Sequence, residues 1–223
     1  KIIRLAHVSA TDIALEIGPG LGSLTLALLD EAAAVIAIEI DPRLAEQLPK
    51  TVALHSSHNE NLTVIIAEAL RVTQLPKEPT VLVANLPYNI SVPVLLHFLE
   101  KFPTIRTGVV MVQAEVADRL VAKPGSKDYG IPSVKAAWWA KLSHVGTVSR
   151  SVFWPMPNVD SKLVGFTRTH TPGDDAKPVL VFAACHAAFS HRRQMCRPAL
   201  AAWLGRAAVA AAVAAMGSGD RNR

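Results

Sequence analysis

Ala14-Leu15-Glu16-Ile17-Gly18-Pro19-Gly20-Leu21-Gly22 carries an apolar strand, Ile13–Ile17, into a glycine-rich turn, and a helix-like stretch, Leu21–Asp30, follows it. Glycine lets the backbone come close to a ligand and adopt positive φ. The helix behind the turn offers unpaired N–H groups and the positive end of its dipole. A dinucleotide turn needs Gly-x-Gly-x-x-Gly. Here Gly22 comes one position early, and an acid, Glu16, lies inside the strand. That combination fits an S-adenosylmethionine turn better. This ligand has no pyrophosphate, and its amino-acid end carries an ammonium that a carboxylate such as Glu16 can reach. A strand–helix turn that binds nothing is the alternative.

Outward from this turn, short apolar runs alternate with helical ones. Strands are predicted over Ile13–Ile17, Val35–Ile40, Leu62–Ile66, Thr80–Ala84, Val109–Gln113, Leu142–Ser149 and Lys162–Thr167. Helices are predicted over Leu21–Asp30, Pro42–Leu48 and Val92–Glu100. Such alternation gives a doubly wound α/β domain with a mostly parallel sheet. The last two strands follow with no obvious full helix between them, so an antiparallel hairpin at the sheet edge is expected. Thr169–Lys177 contains Thr-Pro-Gly-Asp-Asp, a linker composition. An Ala-rich helical pattern begins at Pro178. The expected domains are therefore residues 1–171 and a small helical unit, 172–223.

Half of the 223 residues are apolar, enough for a large core without staples. The net charge of +5 and pI of about 9.4 lean toward an acidic partner such as nucleic acid. The two cysteines, Cys185 and Cys196, form no Cys-x-x-Cys pair, so neither a disulfide framework nor a metal site is expected. His55 and His58 flank two serines and read as a solvated loop. No signal peptide opens the chain, and no apolar run reaches the roughly 18–20 residues that span a bilayer. A cytoplasmic monomer with no membrane partner is expected.

Three further segments carry chemistry. Val35–Asp41 is an apolar strand that ends in acids. Glu39 at its tip can take both ribose hydroxyls of a nucleoside, with Ile40 beside it in the cofactor site. Asp41 before Pro42 reads as a helix N-cap. Past the third strand, Glu68 can accept from the cofactor's adenine amine, with Ala69 beside it, or be a plain surface acid. The most informative segment is Asn85-Leu86-Pro87-Tyr88, at the end of the fourth strand. Adenine N6 is a poor nucleophile because its lone pair is delocalised into the ring. The Asn85 side-chain oxygen and the Leu86 carbonyl are two acceptors that can orient this amine toward a methyl donor. Pro87 fixes the backbone between them and Tyr88. Tyr88 can stack on the extruded base, a gain of about 1–3 kcal/mol. The plainer reading is a turn capping the next helix, with Ser91 as N-cap. In Phe153-Trp154-Pro155-Met156-Pro157, Phe153 either closes the other face of the base or packs into the core, and Trp154 is read as structural.

These residues resemble the ribosomal RNA adenine N6,N6-dimethyltransferases of the kasugamycin-sensitivity type. The likeness rests on Glu16–Gly20, Glu39, Asn85–Ser91, Gln113–Leu120, Tyr129-Gly130, Ser133-Val134, and the Phe-x-Pro-x-Pro-x-Val-x-Ser of Phe153–Ser161. It implies a Rossmann-like class I methyltransferase fold with a seven-stranded sheet and a small C-terminal α-helical domain. It further implies S-adenosylmethionine as cofactor, and dimethylation of two adjacent adenosines in a hairpin near the 3′ end of small-subunit rRNA. The partner is then that rRNA within the immature small ribosomal subunit. Phe189, Arg192, Arg193 and Arg197 fall where the family has its basic helix, and the three arginines are the expected phosphate contacts, with Lys123, Lys127 and Lys162 weaker ones. Glu68 stands where the family commonly has Asp, and Gln194 and Pro198 replace a usual Lys and Asn. The family's preceding Gly-Gln-Asn-Phe segment is absent from this sequence, and the helical domain is expected to be incomplete. The alternatives are a large-subunit rRNA adenine methyltransferase of the macrolide-resistance type, a ribosome-assembly factor with little catalysis, and, more remotely, a nicotinamide dehydrogenase.

Overall fold

The computed structural model describes residues 2–154, 156–169 and 178–190, together with Gly205. In chain order the elements begin with α1 (Ile2–Ala6), β1 (Ile13–Ile17), α2 (Ser23–Leu29), β2 (Ala34–Glu39), α3 (Pro42–His55) and β3 (Leu62–Ile66). Next come β4 (Val81–Asn85), α4 (Ser91–Lys101), β5 (Thr107–Gln113), α5 (Ala114–Val121) and α6 (Ile131–Trp139). The edge strands β6 (Ala140–Val148) and β7 (Ser161–Arg168) follow, then α7 (Pro178–Ser190).

The strands form one sheet in the order β3-β2-β1-β4-β5-β7-β6. The pairings from β3 through β5 are parallel, whereas β7 runs antiparallel to both β5 and β6. This is the expected Rossmann-like α/β sheet. The antiparallel edge is also present, with β7 threaded between β5 and β6.

Every residue of β2 is buried, as a parallel strand covered on both faces requires. Successive side chains alternate between two apolar layers. Leu15, Ile17, Ile36, Ile38, Leu82 and Phe98 lie in one. Ala14, Val35, Ala37, Val83, Met111 and Leu163 lie in the other, under α1, α2 and α3.

Three expectations change. The helix expected over Pro42–Leu48 continues as α3 through Pro49 to His55. Leu48 and Val52 are both fully buried, and that packing outweighs the lost backbone hydrogen bond. The sequence reading assigns no helix between β5 and β6, and the structure has α5 and α6 there. α6 is apolar on nearly every side, so it lacks the one-faced periodicity by which a helix is read. Ser91 is the first residue of α4, not its N-cap. Ile90 holds that position, and the Ser91 hydroxyl donates to the Tyr88 carbonyl at 3.3 Å.

α7 packs against α6 and the segment just before it through aromatic contacts. Phe182 meets Trp138 edge-on at 5.8 Å, and Phe189 lies 5.9 Å from Tyr129. Arg192, Arg193 and Arg197 fall outside the described residues, as do Gln194, Cys196 and Pro198.

Candidate active site

In an open parallel sheet, ligands bind beyond the carboxyl ends of the strands, where the strand order reverses. Here that point lies between β1 and β4, which are neighbours in the sheet although β2 and β3 separate them in sequence. The glycine turn leaves β1, and Asn85 ends β4, so topology brings the two together. A Cβ built on Gly18 would lie 4.0 Å from both the Asn85 carbonyl oxygen and Pro87 Cδ.

The turn needs its glycines for different reasons. Gly18, Gly20 and Gly22 have φ of 68°, 56° and 94°, all in the left-handed region. A Cβ on Gly22 would also sit 2.6 Å from Leu48 Cδ1, so this glycine lets α2 pack on α3. Nothing lies within 4 Å of a Cβ built on Gly20. The turn is therefore open at this position.

Glu39, almost fully buried, closes the turn from β2. Its Oε2 accepts from the Gly20 amide at 3.2 Å, and its Oε1 accepts from Ile40 and Asp41 at 2.9 and 3.0 Å. Three backbone donors thus fix the carboxylate, and an ionised carboxylate offers about four acceptor sites. Ile40 is 66% exposed beside it, an apolar face at the tip of a strand. Asp41 is the N-cap of α3, as expected, accepting from the Arg43 amide at 2.9 Å.

Glu16 has a partner that the sequence reading missed. It points to the α2 side of the sheet and is 2% exposed. The Thr25 hydroxyl donates to its Oε2 at 2.6 Å. Burial pushes its carboxyl up to about 7; the Thr25 hydrogen bond pulls the other way, and the nearby Glu39 charge adds to the rise. Thr25 lies on the first turn of α2, three residues past Gly22, and that spacing is the signal that would have found it.

Glu68 and Ala69 follow β3. The Ala67 amide donates to the Glu39 carbonyl at 3.0 Å, which ties this loop to the tip of β2. The Glu68 carboxylate meets Arg71 at 2.7 Å, and Ala69 is buried. Glu68 therefore has a cationic partner on the surface.

On the other side of β4, Asn85 lines a cavity of 530 Å³ with Met111, Leu163, Val152, Phe153 and Ile2. Asn85 and Phe153, 68 positions apart by their residue numbers, meet at this one space. The Leu86 amide donates to the Met111 carbonyl at 3.1 Å, and the Ile90 amide donates to the Pro87 carbonyl at 3.2 Å. These bonds hold the backbone around Pro87 as a closed turn. The Tyr88 hydroxyl lies 2.7 Å from the Ser161 hydroxyl on β7. Ser161 is the last residue of the Phe-x-Pro-x-Pro-x-Val-x-Ser stretch, and its contact with Tyr88 is a second feature the sequence reading missed.

Two expectations are corrected. Trp154 is 98% exposed, not packed into the core. Lys162 is bound at 2.6 and 2.9 Å to the two oxygens of Asp118, so it is not a free phosphate contact. Among the described residues no cluster of His, Cys, Asp and Glu could hold a metal ion, and no helix is long and apolar enough to cross a membrane.

The arrangement fits S-adenosylmethionine. An open glycine turn, a fixed acid at the tip of β2 and an exposed Ile40 next to it supply a place for a charged amino-acid end, a ribose and an apolar ring face.

The chain resembles the ribosomal RNA small subunit methyltransferase A of Leifsonia xyli, with 57% identity over 226 residues, covering all of this chain and 81% of the relative. The protein of the same name from Thermobifida fusca is 53% identical, with 79% of its length covered. Among solved structures, a dimethyladenosine transferase from Plasmodium falciparum superposes with a TM-score of 0.78 at 28% identity, over 99% of this chain and 80% of that one. The 23S rRNA methyltransferase ErmE gives 0.73 at 29% identity, over 97% and 86%. The family model described as ribosomal RNA adenine dimethylase matches residues 1–216. With a family model spanning nearly its whole length and relatives more than half identical to it, the chain belongs to the ribosomal RNA adenine dimethylase family.

Proposed function

We propose that this enzyme, an S-adenosylmethionine-dependent rRNA adenine dimethyltransferase, acts on two adjacent adenosines near the 3′ end of small-subunit rRNA, with the immature small subunit as its partner. The observation that carries the site assignment is the meeting of Asn85 and Phe153 in one cavity next to the Gly18 turn. The relatives more than half identical to the chain are named for the small subunit, which favours that substrate over the large-subunit alternative. The other reading keeps some support from the likeness to ErmE. Primer extension across the two rRNA regions separates them.

Gly18, Gly20, Glu39, Ile40, Glu68 and Ala69 form the cofactor side of the site. Glu16 supports that side from beneath through Thr25. When bound, the cofactor supplies an electrophilic methyl group on a sulfonium. The chain's own task is to hold the acceptor amine. Asn85 Oδ1 and the Leu86 carbonyl accept from N6 and turn its lone pair toward the donor. Tyr88 and Phe153 close on the two faces of the extruded base. The N6 proton leaves to solvent after transfer, so no strong general base is required. Orientation and proximity carry most of the rate.

The 1–171 and 172–223 division, with Arg192, Arg193 and Arg197 as phosphate contacts in the second part, completes the reading. The enzyme acts as a monomer in the cytoplasm. The test is transfer of labelled methyl groups to under-methylated small subunits, followed by nucleoside mass spectrometry. N6,N6-dimethyladenosine is expected with the native chain and not with Asn85→Ala. No product from the native chain would favour an assembly-factor role.

A further inference from the structure

Trp154 is the most exposed large apolar side chain among the described residues, at 98%. Val152 and Met156, two positions to either side, are also exposed. A ring of this size usually finds cover in the core or at an interface. Its location is specific. The two residues before it, Val152 and Phe153, line the cavity that holds Asn85, so Trp154 belongs to the loop that borders that cavity. Arg150, four residues earlier in the same loop, is exposed and adds positive charge to it. The residue after it is a proline, which biases the Trp154 backbone toward an extended conformation and limits the entropy lost on binding.

A flat, exposed apolar face on a loop that also carries a cation, and that borders the proposed pocket for an extruded adenosine, matches a nucleobase. When one base leaves a stack, its neighbour loses a partner. We infer that Trp154 stacks on the nucleobase next to the target adenosine and replaces the partner lost on extrusion. This rests on the rRNA reading given above. The contact is tolerant of base identity, because every base has a π face. It therefore holds the RNA without adding to the choice of sequence.

The experiment measures methylation of under-methylated small subunits by the full chain and by Trp154→Ala, Trp154→Phe and Trp154→Leu. Trp154→Ala is expected to raise KM for the subunit roughly tenfold, with kcat, cofactor affinity and thermal midpoint unchanged. Loss of binding shared equally by ground and transition states has this signature. Phe is expected to restore most of the loss, and Leu is not, because it supplies apolar area without a π face. An unchanged KM in Trp154→Ala overturns the inference. Equal rescue by Leu and Phe also overturns it, in favour of an apolar contact with a protein of the particle. No product from the native chain would overturn the rRNA reading and this inference together, whereas a failure confined to Trp154→Ala leaves that reading intact.

Discussion

The Tyr88 hydroxyl and the Ser161 Oγ lie 2.7 Å apart across 73 residues of sequence. One belongs to the turn after β4 and the other opens β7, so a single hydrogen bond ties the candidate base-stacking ring to the strand that follows the Phe153 loop. Ser161 is 1% exposed, so water does not compete for this bond. A buried hydroxyl that loses its partner costs about 1–3 kcal/mol. Tyr88→Phe and Ser161→Ala are each expected to lower kcat about fivefold or more, with little change in cofactor affinity. The double variant should be no worse than the worse single one, because both remove the same bond. Additive losses in single-turnover assays would show that the two hydroxyls act independently.

Asn85 ends β4 in the open, with its backbone neighbour Leu86 anchored on β5. Its side chain is thus free to serve a ligand while its position is fixed. Asn85→Ala is expected to lower methyl transfer by about 100-fold or more, the scale of losing a positioned group. Calorimetry should find cofactor binding nearly intact. Equal loss of both would remove Asn85 from the acceptor side of the site.

Gly20 and Gly22 of the turn should fail in different ways. Gly22→Ala meets Leu48 at 2.6 Å as well as unfavourable φ, and is expected to destabilise the fold by more than the roughly 1–2 kcal/mol of backbone strain. Gly20→Ala meets no atom within 4 Å and should cost only that strain. Gly20 belongs to the proposed cofactor side, so the main effect should be weaker cofactor binding. Urea melts and calorimetry on both variants separate the two roles.

Glu16 makes stability depend on pH in an unusual direction. Its folded-state carboxyl, at about 7, lies above its ordinary value of 4.5. Between these values the folded state binds more protons than the unfolded one, so stability falls as pH rises. This contribution is fully present below about pH 4.5 and is lost as pH climbs through about 7, a change on the order of 3 kcal/mol. Glu16→Gln removes the titrating group and should flatten this part of the profile, whatever its effect on the absolute level. Denaturant melts from pH 4.5 to 8 check the slope. A parallel profile for the variant would assign the pH dependence elsewhere.

Much of the fold was legible because its signals are local. The seven strands announce themselves as short apolar runs, and the Gly18–Gly22 turn and the Asp41-Pro42 helix start rest on residue chemistry that neighbours cannot change. The acids at strand tips and the Asn85–Tyr88 stretch were legible for the same reason. Tertiary packing decided the rest. Only the strand order, with β1 beside β4, places the glycine turn against Asn85. Only the folded chain brings Ser161 to Tyr88, Thr25 to Glu16 and Asp118 to Lys162. Such pairs leave no periodic trace, since each depends on a distance set by elements far apart in sequence. Packing also carried α3 past Leu48, where the expected helix ended, because burying Leu48 and Val52 on one face outweighed the cost of Pro49. Trp154 shows the converse. Composition sends a tryptophan to the core, and only the folded loop leaves this one in solvent.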